Sequence, residues 1–124
     1  MYINDAPKLA AQKPTKQMAE GELARKLAIM QDHANDLETK VESIKLAVEI
    51  EPNRDRMYRA ERLLVNAKTL LTQSGMFAQH AMEALKIGDT ASAWVAYRSA
   101  DKALVTANVM KDRARATLQR DVLF

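Results

Sequence analysis

The sequence predicts an all-α fold: an elongated antiparallel (up-down-up) three-helix bundle with an extended N-terminal arm. Three observations carry that expectation. From Met57 to Leu85, apolar or small residues recur every seventh position in three parallel rows. From Leu23 to Val48, apolar residues step by four and three without a miss. Two segments with helix-stopping chemistry, Glu51-Pro52-Asn53 and Lys86-Ile87-Gly88-Asp89, separate these runs from each other and from a third. A chain of 124 residues can hold one domain with its own core, but not two. Only three glycines and three prolines leave little loop. Aromatics at 5% and abundant alanine favour close-packed helices over sheets.

Taken in order, residues 1–16 read as the extended arm. Pro7 and Pro14 restrict the backbone, and Pro14 turns Lys13 away from helix. Thr15 is a candidate N-cap for a first helix over about 17–50. Its seam is Leu23, Leu27, Met30, Ala34, Leu37, Val41, Ile44 and Val48, a narrow a/d pattern with Asp and Glu on much of the outside. That pattern suits a groove between two other helices, and equally a coiled coil between chains.

Pro costs almost nothing in the first turn of a helix, so a turn at Pro52 and a second helix over about 53–87 follow. This helix has the broadest stripe. Ala60, Ala67, Ser74 and Ala81 form a central small row, with Leu63, Leu70, Phe77 and Ala84 on one side. Met57, Leu64, Leu71, Ala78 and Leu85 form the row on the other side. Three rows suit a helix gripped by two partners. Both the small row and the Leu64–Leu71–Ala78–Leu85 row keep phase across Ser74-Gly75, which predicts continuity there. Gly88 fits the left-handed C′ position and Asp89 the following N-cap, so the third helix, about 89–121, should return antiparallel. Ala93, Ala96, Ala100, Ala103, Ala107, Met110 and Ala114 give it an alanine seam. A second row of Tyr97, Leu104 and Leu118 is interrupted by Lys111. Trp94 is expected to cover one end of the bundle. Six of the methionines are expected to fill gaps on or beside the stripes.

Catalytic patterns are missing. Without cysteine there is no thiolate chemistry and no Cys-type zinc site. No Gly-x-Ser-x-Gly elbow, phosphate-cradling glycine loop or arginine-to-histidine spacing of helical ribonucleases is present. His33 has Asp36, and His80 has Glu83, at a spacing that can chelate. A pair falls short of the three or four protein ligands that zinc usually takes. The reading is therefore non-enzymatic, with no cofactor and no metal.

Charge is unevenly placed. Residues 18–51 hold four basic and eight acidic side chains, whereas residues 52–88 hold six basic and three acidic ones. An acidic first helix beside basic neighbours helps to specify helix order. In an antiparallel hairpin, Arg54, Arg56, Arg59 and Arg62 share one end of the bundle with Lys111, Arg113, Arg115 and Arg120. That end is the candidate for phosphate or nucleic-acid contact. Acidic residues stand at the same end, and Tyr58 is the lone aromatic placed to stack a base. The other candidate partner contacts are apolar: Tyr2, Ile3 and Leu9 in the arm, and Val122, Leu123 and Phe124 at the far terminus.

The segment from Ala84-Leu85 through Gly88-Asp89 to Ala93, Tyr97, Ala100 and Leu104 resembles the helical hairpins of tetratricopeptide-type and MIT-type domains. The resemblance spans one hairpin without a repeat period, so it implies a helical hairpin and no function. The expected role is that of a helical interaction or assembly protein. A small structural subunit or adaptor in a larger complex, such as a viral particle, fits this description. Its partner would be another protein or a second copy. The alternatives are a nucleic-acid-associated regulator using the basic end and a small inhibitor of another protein. No apolar run reaches the ~18–20 residues of a membrane helix, and the first residues lack a signal-peptide pattern. A cytoplasmic or in-particle location is expected.

Overall fold

A computed structural model describes residues 16–119, and they form three helices: α1 (Lys16–Glu49), α2 (Arg54–Lys86) and α3 (Thr90–Gln119). The expected arm and the Thr15 cap lie outside the described residues.

Both connections are made by local chemistry. After α1, the turn closes with the Glu51 N–H on the Val48 carbonyl at 3.2 Å. Asn53 then caps α2, its Oδ1 accepting from the Arg56 N–H at 2.9 Å. Pro52 therefore stands just ahead of the cap rather than inside the first turn, where its fixed φ suits the extended entry. At the other end of α2, the Gly88 N–H reaches the Leu85 carbonyl at 3.1 Å and the Asp89 N–H reaches that of Ala84 at 2.9 Å. This paired closure needs a left-handed residue, and Gly88 supplies it at φ 78°. Asp89 caps α3 by accepting from the Ser92 N–H at 3.1 Å.

α2 and α3 approach each other more closely than α1 approaches either. The cause is the small rows. Ala60, Ala67 and Ala81 on α2, and Ala93, Ala100, Ala107 and Ala114 on α3, are fully buried. Ser74 completes the α2 row, and its Oγ donates to the Ala100 carbonyl at 2.8 Å. A hydroxyl one carbon from the backbone can reach a neighbouring helix's carbonyl only when the axes are near the short end of the usual ~8–10 Å range. Seven-residue steps in opposite directions from that bond set Ala67 against Ala107, Ala60 against Ala114 and Ala81 against Ala93.

α1 lies in the groove on one side of this hairpin. Its seam residues Leu23, Leu27, Met30, Leu37, Val41, Ile44 and Val48 are buried. They face the Met57–Leu64–Leu71–Ala78–Leu85 row of α2 and the Tyr97–Leu104–Leu118 row of α3. The acidic helix meets its basic neighbour in a Lys68–Glu42 ion pair at 2.8 Å. Trp94 packs at the hairpin end with Leu23, Leu27 and Ala81, edge-on to Tyr97 at 5.8 Å between centroids.

α2 runs unbroken through Gly75. Other expectations are revised. Lys111, which interrupts the apolar row of α3, is nonetheless buried, at 5% exposure. Met30, Met57 and Met110 pack in or against the core, but Met76 and Met82 are exposed. The Leu63–Leu70–Phe77–Ala84 row of α2 faces away from α1 and stays partly open. Two partners do grip α2, and in the row away from α1 Leu63 and Leu70 still pack against the core while Phe77 is left exposed.

Candidate interaction surfaces

The sequence singled out two kinds of site, and α2 and α3 position much of the basic one. The Ala60–Ala114 pairing brings the start of α2 beside the end of α3, so the two groups of arginines share one end of the bundle. Arg54, Arg59, Arg62, Arg113 and Arg115 are exposed there. Two expected members are engaged elsewhere. The Arg56 Nη1 donates to Glu51 Oε1 at 3.0 Å, with both side chains largely buried. Glu51 also accepts from the Asn53 N–H at 3.2 Å, so this arginine helps to lock the α1–α2 turn.

Lys111 is the other. Its stem fills the α1-facing row between Leu104 and Leu118, and its ammonium reaches Asp112 Oδ1 at 2.7 Å. A long side chain can bury its methylenes and still bring its charge to a surface partner. The Lys111 ammonium holds the Asp112 carboxyl below the usual carboxylate range. Arg120, together with Tyr2, Ile3, Leu9, Val122, Leu123 and Phe124, lies outside the described residues.

The basic end is also partly balanced by acids. Asp55 and Glu61 are exposed beside the arginines. Lys68 holds the Glu42 carboxyl below its ordinary value, and Glu42 raises Lys68 above its own.

A groove of about 400 Å³ opens between α1 and α2. It lies where Ala34 thins the α1 seam and Gly75 has no side chain, with the Glu42–Lys68 pair at its rim. His33 and Asp36 line a smaller α1–α3 groove with Asp101, but Asp36 is occupied by Lys40 at 2.9 Å. His80 lies on the far face of the hairpin beside Phe77. Among the described residues, no group of three or more His, Cys, Asp or Glu side chains is placed to hold a metal ion.

A third surface was not singled out from the sequence. On the side of the hairpin away from α1, Leu63, Leu70 and Phe77 of α2 stand beside Ala96, Ala103 and Met110 of α3. Phe77 is 37% exposed, and the neighbouring Val95 is 61% exposed. The signal was present in the width of the α2 stripe, which places Phe77 at its outer margin.

None of the described helices is long and apolar enough to cross a membrane. Compared with protein-family models, with curated proteins and with solved structures, the chain matches none. The described residues define a class of architecture, an all-α three-helix bundle.

Proposed function

We propose that this chain is a non-enzymatic helical interaction protein, working as a small structural subunit or adaptor in a larger assembly. The observation that supports this reading is the α2 row that faces away from α1, flanked by small residues of α3, where Phe77 is exposed and Leu63 and Leu70 are only partly buried against the core. Surfaces of that kind mark association sites. The apolar termini, Tyr2, Ile3 and Leu9 at one end and Val122, Leu123 and Phe124 at the other, are proposed as further contacts.

The experiment is a photo-crosslinker placed at Phe77 of the full chain, in the cells that make it. A discrete product heavier than 13.9 kDa is expected. The free chain alone, from this position and from Leu123, overturns the reading. Deleting residues 1–14 and 122–124 then separates the termini from the bundle, because an association that survives deletion belongs to the helices.

The exposed Arg54, Arg59, Arg62, Arg113 and Arg115 at one end favour a second reading, contact with a nucleic-acid backbone. Fluorescence anisotropy with duplex and single strands tests it. Binding that weakens steeply with salt supports this role. Charge reversal at Arg54, Arg59 and Arg62 without loss of binding removes it.

A further inference from the structure

The open face of the α2–α3 hairpin differs from the rest of the surface in charge as well as in apolarity. Its rows run from Leu63 to Ala84 on α2 and from Ser92 to Met110 on α3. Beside the apolar residues they carry Asn66, Gln73 and His80 from α2, and Ser92, Ser99 and Thr106 from α3. Over those spans the rows contain no Asp, Glu, Lys or Arg. The nearest cation to the centre, Lys102, stands on the outer edge of α3, where a long stem keeps its ammonium in water. The exposed side of α1, in contrast, carries Asp32, Asp36, Glu38 and Glu42.

The face also has a shape. Phe77 stands out as a ridge on α2 beside the partly buried Leu70, and at the same level Ala96 and the buried Ala103 leave a trough on α3. A surface that is half ridge and half trough is complementary to itself.

We infer that this face packs against the same face of a second copy of the chain, the ridge of each α2 lying in the α3 trough of the other. The two-fold axis then runs along the helices, and the two hairpins point the same way. This rests on the assembly reading above and names the partner it requires. One argument favours a second copy over a foreign chain, and the size of the face allows it. A chain of net charge +3 repels its own kind over most approaches, and a face without charge is where that repulsion is least. The uncharged stretch is roughly 33 Å long at 1.5 Å per residue, and two close-packed helices are roughly 18 Å wide. A projected area of about 600 Å² per copy reaches the lower end of what specific interfaces bury.

The chain contains no cysteine, so single cysteines report cleanly. The test uses the purified full chain, with light scattering for mass and circular dichroism for folding. The expected mass is twice 13.9 kDa. Phe77→Glu or Ser99→Arg places a charge on the face without touching the core. Each should return the mass to that of the single chain with helicity unchanged. In an equimolar mixture of Gln73→Cys and Ser99→Cys chains, oxidation should join the two variants. A single-chain mass for the wild type overturns the inference. So does a Gln73→Cys disulfide formed in place of the mixed product. An oligomer insensitive to both charged variants also overturns it, while leaving the assembly reading in place, because another surface would then be in use.

Discussion

Ser74 and Lys111 are polar residues on buried rows, and the structure treats them differently. Ser74 gives its hydroxyl proton to the Ala100 carbonyl, so it belongs to the close α2–α3 contact. At that contact, enlarging a side chain should cost more than losing the hydrogen bond. Ser74→Ala is expected to lower stability by about 1 kcal/mol. Ala67→Leu or Ala107→Leu should lower it by about 3 kcal/mol, as overpacking forces the backbones apart. Urea midpoints compare them. Lys111 contributes mainly through its stem. Lys111→Met keeps the volume and should stay within about 0.5 kcal/mol of wild type, whereas Lys111→Ala should lose about 2 kcal/mol of packing.

The same lysine sets a pH dependence. The Asp112 carboxyl titrates lower in the folded chain than its ordinary value of 3.8. Its contribution is therefore present above that pH and lost as pH falls through the folded value. Unfolding free energies measured between pH 7 and pH 3 should show the acid loss reduced in Lys111→Met. Because Asp112 is more than half exposed, salt should shrink the effect.

Among the elements, the two glycines flanking the hairpin's working length make opposite demands. Gly75 sits inside α2, and a methyl group there meets nothing within 4 Å. Gly75→Ala should stabilise the protein by about 0.5–1 kcal/mol by restricting the unfolded chain. Gly88 holds a positive φ, so Gly88→Ala should cost about 1 kcal/mol in the turn. Melting temperatures that moved in the same direction for both would contradict this account. The two turns between the helices were legible in the sequence, since Asn53, Gly88 and Asp89 act through bonds to near neighbours. The fate of Arg56 was not, because its partner Glu51 stands across a turn whose geometry sets the pairing.

In the molecule taken together, the helices are unequal. α2 and α3 meet along fully buried alanines, while α1 is held by a narrower seam across longer side chains. Amides of α1 should therefore exchange with deuterium before those in the middle of α2 and α3, a difference that native-state exchange would read directly. Leu64 joins α2 to the core at 5% exposure, and Leu64→Asp should unfold the chain by burying an unpaired carboxylate. Wild-type helicity and melting in that variant would count against a central role for α2.

Local pattern was enough to settle the all-α class, the three helices and their up-down-up order. Each of these follows from periodicity along one helix or from chemistry within a turn. The side of the hairpin that α1 occupies was a matter for tertiary packing alone. α2 carries apolar rows on both flanks of its alanines, so either side offers a groove, and one helix can fill only one of them. That choice buries Lys111, leaves Phe77 exposed with Leu63 and Leu70 only partly buried, and creates the surface on which the proposed function depends.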